Sequence, residues 1–258
     1  MSTTHTLWID GLAQWSSATA GQRPAPDMLP ANERRRAPDA VLLALEVASR
    51  ALAGSGHDAS DVATVFTSAH GDLAITDALC KTLAANPALL SPTRFHHSVH
   101  NAASGYWAIA TGSRAASTAL AAFETSFAAG LLEAATQCQA DAQPVLLVAY
   151  DTEATGALAS VNRSRGLLAM ALLLSPRPGA RSLWTMDWRV QAGTAMTPQP
   201  TSAAARALCA NASAPGLPLL EMLARGQADR LAWPLSAGLA LHIAVQPLQP
   251  IAPRRPAA

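Results

Sequence analysis

Lysine is almost missing from this chain: Lys81 is the only one, and arginine supplies the other basic side chains. Charge of either sign is scarce, at 14% of residues, and the formal net charge is only +1. Such a balance offers no basic field to recruit nucleic acid and no acidic tail. The one basic run, Arg34 to Arg36, reads as a solvated patch ahead of a helix. The three cysteines, Cys80, Cys138 and Cys209, are an odd set without metal-ligand spacing. They exclude a disulfide framework and a zinc site and suit a reducing compartment. The opening "MSTTHTLWIDG" has neither the positive nor the apolar region of a signal peptide. No apolar run approaches the roughly 20 residues of a membrane span; "LLAMALLLS" (167–175) is strand-sized. The expectation is a cytoplasmic protein with no nucleic-acid partner, no membrane span, no metal and no cofactor.

What is present is apolar residue, half of a 258-residue chain, enough for a sizeable core. "LWIDGL" (7–12) predicts a first strand, followed by a polar, proline-rich stretch over 21–38. Pro38-Asp39 is a helix-start signal; Val41, Leu45, Ala48 and Leu52 recur at helical spacing, and Gly54 marks the stop. "ATVFTSA" (63–69) predicts a buried strand, 72–85 a helix ended by Asn86-Pro87, and 91–99 a loop opening a helix over 101–111. A small-residue strand over 117–123 runs into a helix over 125–139, and "PVLLVAY" (144–150) and 167–174 are further apolar strands. Alternating strands and helices imply βαβ units, a mostly parallel sheet and helices on both faces. Beyond Pro176 the pattern changes: "SLWTMDWRV" and "GLALHIAVQP" predict two more strands, separated by a Pro/Ala/Gly-rich stretch with short helices. The tail from residue 248 reads as disordered. One domain over 1–258 is expected, with a core over 7–175 and a different C-terminal part over 176–247.

Within "GSRAASTALAAFETSFAAGLLEAA" (112–135), Glu124 stands where a strand turns into a helix. Such a turn projects its side chain outward with helix amides behind it, the geometry that nucleophile elbows use. A helix dipole favours an acid there by roughly 0.3–1 kcal/mol, so a plain helix-start role also accounts for it. The dense string "HHSVH" places His96, His97 and His100 close together, yet without two ligands at i, i+4 and a helical carboxylate. It reads as a polar loop packed against a partner or the Glu124 helix. Asn101 and Ala102 stand where the HHxxxDG motif of condensation-type acyltransferases has Asp and Gly.

From Asn101 to Ser126, "NAASGYWAIATGSRAASTALAAFETS" resembles the β-ketoacyl synthase (ketosynthase) family of the thiolase superfamily. Asn101, Gly105, Gly112, Arg114 and Ser117 match its pattern without a gap; the count places Glu124 at the nucleophilic cysteine, with Thr125 and Ser126 matching the residues after it. "WIDGLAQWS", "ATVFTSAHGD" and "PVLLVAYDTE" resemble three of its strands, so the likeness covers about 7–175. It implies an α/β, thiolase-like layered fold, mostly the N-terminal half, with a central mixed sheet covered by helices. Carboxylate for thiolate removes the chemistry, because Glu is too poor a nucleophile to carry an acyl group as a thioester. The family's two catalytic histidines lie in a second half that this shorter chain lacks; His242, the only histidine after His100, reads as a core or edge residue.

"FHHSVHNAASGYWAIATG" is similar to the stand-alone, chain-length-factor-like proteins of aryl polyene pigment clusters. That resemblance implies a non-catalytic subunit paired with an active β-ketoacyl-[acyl-carrier-protein] synthase, and through it with acyl carrier protein. It implies an interface or acyl tunnel near Phe95, His96, His97, His100, Asn101, Tyr106, Trp107, Phe123, Glu124, Thr125 and Phe127, although each bulky side chain also reads as core. An alternative is a small acyltransferase or malonyl-carrier-protein decarboxylase using Glu124 or His97 as base; a third is a homodimeric scaffold. A fold lacking half its layers is expected to expose a large apolar face.

Overall fold

A computed structural model describes residues 3–20 and 22–248. The expected disordered tail, beyond Leu248, lies outside the described residues. The first strand, β1 (His5–Ser16), is longer than its apolar stretch foretells, and a short turn of helix, α1 (Ser17–Ala20), closes it. The proline-rich stretch contains α2 (Ala31–Arg36), which buries nothing and carries all three arginines of the basic run. Helix α3 (Asp39–Leu52) follows its signals closely: Pro38 is extended ahead of it, and nearly every residue is buried. Strand β2 (Ala63–Thr67) leads to α4 (Leu73–Ala85), where the Asp72 side chain accepts from the Ile75 N–H and caps the helix. Helix α5 (Pro92–Ser98) occupies the expected loop, capped by Ser91 and started by Pro92, and α6 (Ala102–Thr111) ends at Gly112 with φ +69°.

Strand β3 (Ser117–Leu120) is shorter than expected; a 3-10 turn over Phe123–Thr125 separates it from α7 (Ser126–Asp141). Then come β4 (Val145–Asp151), a 3-10 turn over Gly156–Ser160, β5 (Leu168–Ser175) and β6 (Trp184–Ala192). The C-terminal part adds α8 (Ala203–Arg206), α9 (Leu217–Arg225), β7 (Asp229–Ser236) and β8 (Leu239–Pro247).

All eight strands join one sheet in the order β3-β2-β4-β5-β1-β6-β8-β7. The sheet is mixed rather than mostly parallel: β2 runs parallel to β3 and β4, and every other pairing is antiparallel. Hydrophobic runs mark a strand as buried on both faces but carry no sign of its direction. Helices α3 and α6 cover one face, over Phe66, Leu146, Val148 and Leu173. Helices α7 and α9 cover the other, over Val65, Leu147, Met170, Met186 and Trp233. The expected bare apolar face does not form on this side, because β6, β8 and β7 prolong the sheet from β1 and both α7 and α9 pack against β7. No helix among the described residues is long and apolar enough to cross a membrane.

Candidate functional site

The turn between β3 and α7 is built by its own hydroxyls. Ser126 Oγ donates to the Phe123 carbonyl (2.7 Å) and accepts from the Ala122 N–H (2.9 Å). Thr125 Oγ1 donates to the Ala122 carbonyl (2.9 Å). Phe123 takes φ +51°, the left-handed region that bulky residues rarely enter. The strained residue of this elbow is therefore Phe123, and Glu124 sits one residue on, before the helix starts. Below the turn α7 lies very close to β2: a Cβ on Gly130 would fall 2.6 Å from Thr67 Cγ2, so only glycine permits this approach. Thr67 Oγ1 also donates to the Ser126 carbonyl (2.9 Å).

Glu124 and Phe123 open onto a cleft of about 540 Å³ beside the C-terminal end of β2. His70, from the turn after β2, stands edge-on to Phe123 with ring centroids 5.8 Å apart. Arg163 and Val161 come from the loop before β5, and Cys209 from the segment after α8. Burial lowers the His70 pKa, which favours the neutral imidazole. Glu124 is exposed and has no hydrogen bond or ion pair among the described residues. A second depression shares Arg163, Cys209 and Asn211 and adds Arg165 and Glu153.

Asp151, at the end of β4, ties the two walls of the cleft together. Its carboxylate accepts from Ser68 Oγ (2.8 Å) and the Ala69 N–H (3.0 Å) on the His70 side, and from Ser213 Oγ (2.7 Å) on the Cys209 side. Asn211 Nδ2 donates to the carbonyls of Asp151 (3.1 Å) and Gly166 (3.1 Å). Burial pushes the Asp151 carboxyl up to about 6, opposed by these hydrogen bonds.

The expected site residues divide into three places. Phe123 and Glu124 line the cleft; Thr125 folds its turn. Phe127 is 2% exposed, in the core against Trp233, and Trp107 is buried beneath α6. Phe95, His96, His97, His100, Asn101 and Tyr106 belong to α5, α6 and their junction. There His97 Nε2 bonds Tyr106 Oη (2.9 Å), and His100 Nε2 bonds the Ser68 carbonyl (2.9 Å). Phe95 is 64% exposed, and His96 and Asn101 are exposed too. Desolvation first, and His96 second, lower the His97 pKa. His97 and His100 thus turn to different partners, and no three His, Cys, Asp or Glu side chains gather as a metal site among the described residues.

Sequence reasoning missed His70, Arg163 and Cys209. A signal existed only for His70, which follows a buried strand directly and so falls at a strand's C-terminal end, where open α/β sheets form their crevices. Chemically the cleft brings together an acid, an imidazole, a guanidinium and a thiol. No hydrogen bond joins Glu124 or Cys209 to His70 among the described residues, so no nucleophile–base pair is assembled.

Comparison with known proteins places this geometry. No curated protein matches the chain in sequence. Among solved structures, a chain from a complex of a ketosynthase (ApeO) with its chain length factor (ApeC) from Xenorhabdus doucetiae superposes with a TM-score of 0.67 at 23% identity, covering 93% of this chain and 99% of that one. A chain from a type II polyketide acyl-carrier protein–ketosynthase complex gives 0.71 at 11% identity, over 94% and 99%. A chain of the ishigamide ketosynthase/chain length factor gives 0.65 at 15%, over 95% and 100%. The fold is therefore thiolase-like, of the ketosynthase type. The profile described as "Beta-ketoacyl synthase, N-terminal domain" matches residues 11–236, and the chain belongs to that family.

Proposed function

We propose that this chain is a single-domain, chain-length-factor-like subunit, cytoplasmic and without condensing activity of its own, that pairs with an active β-ketoacyl-[acyl-carrier-protein] synthase. The pathway in this reading is fatty-acid/polyketide-type synthesis of an aryl polyene, with acyl carrier protein engaged through the complex. The observation that carries it is the open edge of β3 beside the Glu124 cleft. Among the described residues β3 pairs only with β2; α6, which carries Ile109 (82% exposed), packs beside it, and Phe123 (49% exposed) follows it in the turn. An uncovered, uncharged edge of this kind invites a strand from another chain. A carboxylate at the vacated thiol position supports the non-catalytic half of the reading, because acyl transfer needs a competent nucleophile there.

Co-expression with the cognate ketosynthase is the test. A co-purifying complex is expected, and a ketosynthase-directed epoxide labels only the partner in it. A well-behaved monomer that ignores the ketosynthase, or a covalent adduct on Glu124, overturns the reading. The acyltransferase or decarboxylase alternative keeps Glu124 as its base but loses His97, which bonds Tyr106 and does not line the cleft. Turnover of malonyl carrier protein by the purified chain alone, lost on Glu124→Gln, is the outcome that favours it.

A further inference from the structure

At the end of the strand order opposite β3, strands β6, β8 and β7 show two unlike faces. Trp184, Met186, Leu241, Ile243 and Val245 point inward to the core under α7 and α9. The alternate residues point outward, and none of them is buried among Thr185, Asp187, Arg189, His242, Ala244 and Arg230. In the middle strand, Ala244 pairs with Asp187 of β6 on one side and Arg230 of β7 on the other. Two residues along, His242 pairs with Arg189 and Ala232. The small Ala244 side chain thus floors a hollow walled by Arg189, Arg230, His242 and Asp187.

Its volume is about 130 Å³, several times the roughly 10–15 Å³ that holds one water, so there is room for one small polyatomic ion. Asp187 is already engaged, accepting from Thr6 Oγ1 at 2.6 Å. The side chains of Arg189, Arg230 and His242 have no hydrogen bond or ion pair among the described residues. Two arginines and a histidine without side-chain partners therefore line one hollow beside a single carboxylate, Asp187, in a chain where cationic side chains are otherwise few.

We propose that this hollow is an anion site for a phosphate group, either free inorganic phosphate or the phosphomonoester end of a larger molecule. A tetrahedral oxyanion has enough acceptor oxygens to occupy two guanidinium forks and an imidazole together, whereas a planar carboxylate is satisfied by one fork. The hollow has room for one such group.

The test is equilibrium dialysis of the full chain, with its partner where that is needed, against labelled orthophosphate and against phenyl phosphate at constant ionic strength. Saturable binding is expected, unaffected by replacing part of the chloride with nitrate. The R189Q/R230Q double variant loses about tenfold or more in affinity while its circular dichroism and Tm stay unchanged. A244L, which fills the hollow and keeps every charge, abolishes binding. Tenfold preference for phenyl phosphate identifies the end of a larger molecule as the source, and equal binding identifies the free ion. No saturable binding, equal binding by both variants, or binding only of an acidic protein overturns the proposal.

Discussion

The two edges of the sheet are built differently. At one end β7 opens with Asp229 and Arg230, carries Pro234, and breaks its register with β8 between Pro234 and Ser236. Charges, proline and a bulge are the devices that keep an edge from pairing with another chain. At the other end β3 is Ser-Thr-Ala-Leu, with none of them. The Ala116 and Leu120 carbonyls accept from the N–H groups of Thr64 on β2 and of Ser68 just after it. Peptide groups alternate in direction along a strand, so Ser117 and Ala119 present theirs to the open side. One edge is closed by its sequence and the other is not.

The largest effect is expected from closing the open edge. Ala119→Pro removes an outward N–H while sparing the β2 ladder, and it should eliminate the ketosynthase complex on gel filtration with the isolated chain still folded. Asp229→Ala on β7 should leave that complex intact. Retention of the complex by Ala119→Pro, or its loss with Asp229→Ala, breaks the contrast between the edges.

The contrast sharpens at the turn after β3, where two phenylalanines sit four residues apart. Phe127 fills the core so tightly that a Cβ on Gly216 would meet its ring at 2.5 Å. Phe127→Ala should lower unfolding stability by about 3–5 kcal/mol in urea titrations. Phe123→Ala should leave stability nearly unchanged and shift the length of the polyene made by the assembled complex. Unchanged product from a stable, assembled Phe123→Ala variant would remove any tunnel role for this turn.

Away from both edges, Asp151 is expected to give a smaller, pH-dependent effect. Its folded pKa, about 6, stands above the roughly 3.9 of an unfolded aspartate. The group's stabilising contribution is thus complete below pH ~3.9 and lost as pH rises through about 6. Asp151→Asn, which cannot ionise, should therefore compare more favourably with the parent at pH 7.5 than at pH 5, by on the order of 1–2 kcal/mol. Parallel Tm–pH curves for the two proteins refute this. The smallest expected change is Phe123→Gly: relief of the left-handed backbone should raise stability by about 1 kcal/mol. A fall instead means that the ring contact with His70 outweighs the strain.

Much of this architecture could be read from local signals. Helix α3 announced itself through Pro38-Asp39 and its apolar spacing, and α4 through Asp72 at one end and Asn86-Pro87 at the other. Those signals are chemical and lie within the element. Strand β7 escaped notice because Pro234 and the charged start make it read as loop, which is how an edge strand protects itself. The direction of β1 was equally hidden, since its partners come from 168–188. The site followed the same rule: Phe123 and Glu124 were legible from the small-residue run before them. Arg163 and Cys209 reach the cleft from loops whose own sequences carry no trace of it.

The position of β1 also bears on how the chain is made. It is synthesised before the other seven described strands, yet it lies between β5 and β6 and pairs with residues 168–175 and 184–188. A chain growing at roughly 5–20 residues per second leaves this apolar segment without its partners for about 10–30 seconds. Long-range pairing is slow to close, and unpaired strands are prone to aggregation in the meantime. Yield in a heterologous host should therefore depend on chaperone supply and temperature, and a rearranged chain that carries the β1 segment between β5 and β6 should depend on them less.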